Sequence, residues 1–434
     1  MGIALRRVLF RTVGRAVRLT VVIMPLLVPS PAAAGEVTLE ALIAEALTNS
    51  PEIRASSSRA EAQRFRIPQV KSLPDPMFMI GYQNEGFSRI NYGQSEDAQV
   101  MFSASQMFPF PGKLGIKGEM AEQDAAAAAA ALDSVKLKTV QRVKELYFDL
   151  FLAHKTIDLL QEKTALFSRI EDAALARYAA GTGMQQEVLM AQTEKYMLLE
   201  RKEMQLQKIQ SFEAMLNATL GRETYAPLGR PAEPPVVSAG APTEELVRVA
   251  YESSPEVRAR QRMKAASEAK VRMAKKEYYP DFTVTANYGM RGGGMMDMWS
   301  LTTAVNIPIF YRSKQRQGVL EAEASVAEAT RELEAAKLMV ASTVRDNASM
   351  ARTATRLMDL YRDGLIPKTQ QDFESSLASY ASGKADALTV ISRLKSLVDT
   401  ELLYWAQFTE CGKALARLHA IVGRAADAKE EGTR

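Results

Sequence analysis

Five separated pieces of this sequence occur twice, in the same order and at nearly constant spacing. Asn49-Ser50-Pro51-Glu52-Ile53-Arg54-Ala55 recurs as Ser253-Ser254-Pro255-Glu256-Val257-Arg258-Ala259, and Pro74-Asp75 as Pro280-Asp281. Phe108-Pro109-Phe110 recurs as Ile307-Pro308-Ile309-Phe310, Tyr178-Ala179-Ala180-Gly181 as Tyr380-Ala381-Ser382-Gly383, and Leu220-Gly221-Arg222 as Val422-Gly423-Arg424. The offsets are 204, 206, 199, 202 and 202 residues, so one long unit has been duplicated with small insertions. A unit of that length is not a solenoid repeat. The two copies span 35–221 and 243–424. The stretch 222–242 between them, with prolines at 227, 231, 234, 235 and 242, reads as a linker, and 425–434 as a short tail.

Each copy opens with helical spacing of apolar residues, over Val37–Val70 and again over Thr243–Tyr278. The period then changes from about 3.6 to 2. Strands are expected at about 77–84 and 98–110, and at about 281–290 and 298–310. In the first pair Phe78, Ile80 and Tyr82, and Val100, Phe102 and Ala104, oppose polar or less bulky neighbours. In the second, Phe282, Val284, Ala286 and Tyr288, and Trp299, Leu301, Val305 and Ile307, do the same. One apolar face against one face of small uncharged polar residues matches a barrel wall between lipid and water. Tyr82, Tyr288 and Trp299 near the loop ends, with Phe108 and Phe310 near the opposite ends, fit two aromatic girdles.

A helical hairpin follows each strand pair, over 112–220 and 312–422. No proline lies between Pro111 and Pro227, so the 68 residues from Gly112 to Ala179 can run as one helix, about 100 Å long. The alanine run 125–131 favours helix and close interhelical approach. Most apolar positions here are seam residues between helices. Pro367 has Ala165 as its repeat mate and should kink or interrupt the second long helix near Leu365-Ile366.

Arg6, Arg7, Arg11, Arg15 and Arg18, the apolar run Leu19–Val28 and Pro31-Ala32-Ala33-Ala34 read as an export signal over 1–34. The apolar run is too short to span a bilayer as a helix. Net charge is +4 with the bases scattered, which gives no footprint for nucleic acid. Cys411 is the only cysteine, so no intrachain disulfide forms, and it reads as a small packed residue.

Four membrane strands cannot close a barrel, because the smallest closed ones have about eight. An open edge in lipid leaves backbone groups unpaired at several kcal/mol each. Several copies must therefore share one wall, and the helices continue that wall away from the membrane. Such a tube is a conduit, and no phosphate loop, nucleophile elbow or metal-ligand cluster marks an enzyme or a cofactor site.

Across its mature length the duplicated pattern resembles the TolC family of outer-membrane efflux factors, most closely the branch serving heavy-metal exporters. Gln106-Met107-Phe108-Pro109-Phe110-Pro111-Gly112-Lys113, Leu365-Ile366-Pro367 with Tyr380-Ala381-Ser382-Gly383-Lys384-Ala385-Asp386, and Leu418-His419-Ala420-Ile421-Val422-Gly423 carry the match. The resemblance implies a mainly α protein with a membrane β-barrel: a homotrimer with twelve strands, outer-membrane lipid around them, and an α-helical tunnel in the periplasm. It implies a periplasmic membrane-fusion adaptor and an inner-membrane transporter of the resistance-nodulation-division type as partners. Tyr178, Gly181, Tyr380 and Gly383 would form the adaptor-docking tips. Pro109, Pro111, Gly112 and Pro308 would form the strand-to-helix junctions.

In such proteins a gate lies beyond the tips. Tyr380 matches a gating tyrosine and Glu187 stands where that network has an acid. The basic partner's place is Ala385, and the paired acids of the constriction fall at Thr389 and Ser392. A gate closed by packing and neutral hydrogen bonds is the resulting expectation. Met290, Met295, Met296 and Met298 offer soft thioethers for a metal ion, though a flexible turn between strands accounts for the same residues. A duct for protein secretion and a soluble periplasmic coiled-coil scaffold stay open as alternatives. His154 and His419 lie too far apart in sequence to suggest a zinc site.

Overall fold

The computed structural model describes residues 36–235 and 241–423. The export signal expected over 1–34, part of the linker and the tail 425–434 lie outside the described residues. The first copy consists of α1 (Leu39–Asn49), α2 (Pro51–Lys71), β1 (Met77–Gln83), β2 (Gln99–Phe108), α3 (Lys113–Ala179) and α4 (Gln185–Leu220). The second consists of α5 (Thr243–Ser253), α6 (Pro255–Lys276), β3 (Phe282–Arg291), β4 (Met298–Val305), α7 (Gln315–Leu360), α8 (Ile366–Ala381) and α9 (Ala387–Val422).

The opening helix of each copy is broken where the periodicity predicts continuity. Pro51 and Pro255 occupy the first turns of α2 and α6, where the missing N–H costs nothing, while Ser50 and Ser254 leave the helical region with ψ of 124°. The break has a use. Gly221 ends α4 at φ 75°, and a Cβ there would lie 2.8 Å from the Asn49 carbonyl oxygen; Gly423 ends α9 at φ 79° with its Cβ 2.5 Å from that of Ser253. Only glycine fits both the left-handed turn and the close backbone. The two most visible repeated motifs are thus the two sides of one contact, made twice.

α3 is a single helix of 67 residues. Ala121, Ala125, Ala127 and Ala130 are buried on it, in the region packed between α2 and α6. Helix α7 begins at Gln315, because Phe310–Lys314 forms a turn closed by Lys314 N–H donating to Phe310 O. It ends not in a proline kink but in a π-helical turn, Tyr361–Leu365, whose wider winding absorbs Pro367 at the start of α8. The Asp386 carboxylate caps α9 by accepting from Thr389 N–H at 2.9 Å, which sets its start at Ala387.

Among the described residues three clusters fill the interior. One joins the halves through Phe148, Phe151, Val344, Phe408 and Leu415, and it includes the buried Cys411. A second holds α1 to the middle of α3 and the end of α4 through Leu42, Val143, Tyr147 and Leu216. A third runs toward the helical tips through Leu160, Phe167, Leu198 and Leu394. The first part of the linker is fastened to this body: Val37 bridges Pro231, and the Tyr147 hydroxyl lies 2.7 Å from Ala232 O and 3.0 Å from Val37 O. Among the described residues no helix is long and apolar enough to cross a membrane.

Candidate channel wall and periplasmic tips

The four strands form one antiparallel sheet in the order β1-β2-β3-β4, so the two copies of the repeat meet at β2 and β3. Facing pairs include Ile80–Phe102, Phe102–Tyr288 and Tyr288–Trp299. Directly opposed residues point to one side of a sheet. Phe78, Ile80, Tyr82, Val100, Phe102, Val284, Ala286, Tyr288, Trp299 and Leu301 therefore share a face, as the alternation predicts. That face lies open, with Phe78, Ile80, Trp299 and Leu301 exposed by 77%, 73%, 79% and 65%. The other face carries Gln99, Ser103, Ser105, Thr283, Thr285, Asn287, Ser300 and Thr302. Tyr288 and Trp299 mark the loop end of the apolar face, and Phe108 stacks on Phe282 at 5.7 Å at the helix end.

At the strand-to-helix junction Gly112, at φ 91°, turns the chain into α3. Phe110 stacks on Tyr279 at 4.6 Å, and its N–H donates to the Asp281 carboxylate at 2.7 Å. Lys113, buried to 2% exposure, places its ammonium 2.9 Å from Asp281, 3.4 Å from Glu277 and 3.2 Å from Tyr279 O. Pro109 and Pro111 flank this knot, which spans the two halves. Pro308 lies in the corresponding stretch after β4, beside Ile307, Ile309 and Phe310, which are exposed by 67%, 69% and 69%. In the sequence Lys113 stands only as the last residue of the matching junction stretch, with no role of its own; its place directly after Gly112 was the available signal.

The two tips are built alike. Gly181 and Gly383 adopt φ of 74° and 71° and face open space, and their N–H groups donate to Tyr178 O and Tyr380 O, each at 3.0 Å. The paired tyrosines differ: Tyr178 is 47% exposed and Tyr380 is 4% exposed. Tyr380 is covered by Arg177 from the first tip, whose guanidinium lies 4.7 Å from the ring centroid and donates to Tyr380 O at 3.5 Å. Burial first, then the negative charge of Glu187, push the Tyr380 phenol above its ordinary pKa, against the opposing effect of Arg177. The Tyr380 hydroxyl and Glu187 Oε2 are both buried without a hydrogen-bond partner among the described residues. The tip pairing therefore contains a cation that the sequence reading did not find, because Arg177 comes from the other hairpin and its repeat mate is Ser379.

Thr389 is occupied at the start of α9, its N–H and hydroxyl both donating to Asp386, at 2.9 and 2.6 Å. Ser392 is exposed. The four methionines do not converge. Met290 faces Val100 on the apolar side, Met298 faces Gly289 on the polar side against the Arg291 guanidinium, and Met296 is 87% exposed. Met295 lies in the turn between β3 and β4, whose glycines press on the neighbouring loop at Gly93.

A strip of wall with a lipid-compatible exterior, carried on helical hairpins about 100 Å long, defines a subunit of an assembled outer-membrane duct. Residues 42–222 and 246–424 match the Outer membrane efflux protein family, one match for each copy of the repeat, and the chain belongs to that family. It is 22% identical over 404 residues to the cobalt-zinc-cadmium resistance protein CzcC of Cupriavidus metallidurans, covering 90% of this chain and 91% of that one. It is 24% identical over 415 residues to the pyoverdine export outer membrane protein OpmQ of Pseudomonas aeruginosa, covering 90% and 84%. The crystal structure of CusC superposes with a TM-score of 0.77 over 89% of this chain and 92% of that chain, at 16% identity, a likeness of fold. The protein is thus an outer-membrane efflux channel subunit, with its sheet in the outer membrane and its helices in the periplasm.

Proposed function

We propose that three copies of this chain close a twelve-stranded barrel and a helical tunnel, and that the duct carries metal cations out of the cell. End-to-end similarity to a cobalt-zinc-cadmium resistance protein is the observation that carries this reading. The duct would receive its cargo through a periplasmic membrane-fusion adaptor and an inner-membrane transporter of the resistance-nodulation-division type. Adaptor helices would dock at the tips around Gly181 and Gly383, with Tyr178 as an exposed aromatic anchor. Arg177, Tyr380 and Glu187 would hold the tip closed. The uncharged Ser, Thr and Asn lining of the polar sheet face imposes little selection by charge, so substrate choice would rest with the transporter and adaptor. The reading assigns no catalytic step and no cofactor.

Similarity to OpmQ favours a second reading, a duct for a small organic product. A deletion strain separates the two. Sensitivity to cobalt, zinc, cadmium or nickel salts, restored by the gene in trans, supports metal export. Unchanged metal tolerance with intracellular accumulation of an organic product supports the second reading. A defect confined to a secreted protein would oppose both.

A further inference from the structure

Where α1, α3, α7 and α9 meet, the two halves of the chain leave a gap. Between the cluster that joins the halves and the one that holds α1 lies a cavity of about 200 Å³. Phe148, Met358, Phe408 and Leu415 wall it on the first side, and Leu39 and Ile43 on the second. Protein interiors otherwise leave few voids larger than one water. The second copy keeps this one open with small side chains. Cys411, Gly412 and Ala416 line it, and at the 202-residue spacing the mates of the first two are the bulkier Ile209 and Gln210.

Lys144, Glu40 and His419 bring charge and polarity to this apolar lining. Glu40 is exposed to solvent, whereas Lys144 is partly buried. Among the described residues the Lys144 ammonium has no hydrogen bond and no carboxylate within ion-pair distance. Burial lowers its pKa, against the more distant negative charge of Glu40. A desolvated cation of this kind is stabilised by an anion that comes to it. The rings of Phe148 and Phe408, with the sulfurs of Met358 and Cys411, suit a flat aromatic body. An apolar cavity of about 150 Å³ holds benzene, so this one has room for a single ring on a short stem.

We propose that this cavity binds a small aromatic carboxylic acid, its ring among Phe148, Met358, Phe408 and Leu415 and its carboxylate on the Lys144 ammonium. The site is separate from the strands and from the tips, and it does not depend on the cargo of the duct. Its walls come from both halves, so an occupant ties them together and stabilises the folded chain by mass action. Glu40 works against the anion. Removing the charge of Glu40 therefore tightens binding, and removing that of Lys144 weakens it.

The test uses the full chain reconstituted in lipid nanodiscs. Cys411, its only thiol, is alkylated with iodoacetamide and the reaction followed by mass. The probe is 3-phenylpropionate, and the uncharged 3-phenyl-1-propanol is its control. Saturating 3-phenylpropionate should slow alkylation by about five-fold or more. Lys144→Met should raise the concentration of acid needed by about ten-fold or more, while that of the alcohol stays unchanged. Lys144→Arg should restore the parent value, and Glu40→Gln should lower it. Protection by neither compound, or an equal requirement for the acid in parent and Lys144→Met, overturns the proposal. Equilibrium dialysis of labelled 3-phenylpropionate decides the same question where iodoacetamide does not reach Cys411: binding in the parent that Lys144→Met weakens supports the site, and no binding rejects it. Should Val236→Ser with Val237→Ser speed alkylation of a parent that binds no probe, the linker after Pro235 fills the cavity and the proposal fails.

Discussion

Arg177 covers Tyr380, with its guanidinium 4.7 Å from the ring centroid and a donor 3.5 Å from the Tyr380 carbonyl oxygen. The contact ties the tip of the first hairpin to that of the second within one chain. A partly buried cation–π contact contributes about 1 kcal/mol, roughly a five-fold bias between two tip positions. Arg177→Gln and Tyr380→Leu should therefore raise the open fraction in planar bilayers several-fold, while Tyr380→Phe, which keeps the ring, should stay near the parent. Parent-like conductance in Arg177→Gln would remove the latch from the account.

Lys163 is 5% exposed and links α3 to α9 through Glu401, with Glu162 beside it, at 3.1 and 3.0 Å. Removing one partner of a buried pair strands the other, at about 3 kcal/mol. Lys163→Met, which leaves Glu401 without its cation, should lower the denaturation midpoint accordingly, and Lys163→Met combined with Glu401→Leu should recover much of it. Equal loss in the single and double variants would show that packing, not charge, is at stake.

His154 gives a pH dependence with a definite sign. Burial first, and then the positive charge of Arg230, lower its pKa from 6.5, with Asp158 opposing; its Nε2 is buried without a hydrogen-bond partner among the described residues. Just below pH 6.5 the unfolded chain takes up a proton that the folded chain refuses. Stability is thus fully present above about 6.5 and falls as pH drops toward the folded value, by at most ~1.4 kcal/mol per unit. Denaturation midpoints from pH 5 to 8 should show this fall, and His154→Gln should flatten it.

Two glycines should respond oppositely to the same change. A Cβ on Gly412 would meet the Phe148 ring at 2.2 Å, whereas one on Gly318 meets nothing within 4 Å. Gly412→Ala should destabilise by about 1–3 kcal/mol despite alanine's helix preference. Gly318→Ala should stabilise by up to ~1 kcal/mol. Matching signs in thermal denaturation would contradict the packing described.

The periodicities exposed most of the architecture because they are local: alternation in the strands, proline-free helices, and motifs repeated at fixed spacing. What escaped depends on contacts between distant segments. Pro51 and Pro255 sit inside helical patterns, and only the close approach of Gly221 and Gly423 shows why the chain breaks there. Pro367 signalled a disturbance, but its form as a π turn depends on how α7 and α8 pack on α9. The pairing of β2 with β3 across the halves, and the placing of Arg177 on Tyr380, require both copies of the repeat in position. At the tips the sequence offered no cation for the same reason: Arg177 comes from the other hairpin.

The mass of the detergent-extracted particle tests the account most directly, measured by light scattering after recovery from the outer-membrane fraction. Three chains per particle, insoluble without detergent and forming channels when returned to a bilayer, is the predicted result. A single chain that stays dissolved without detergent would contradict it, because the open apolar face of the strands would then need no lipid and no second copy.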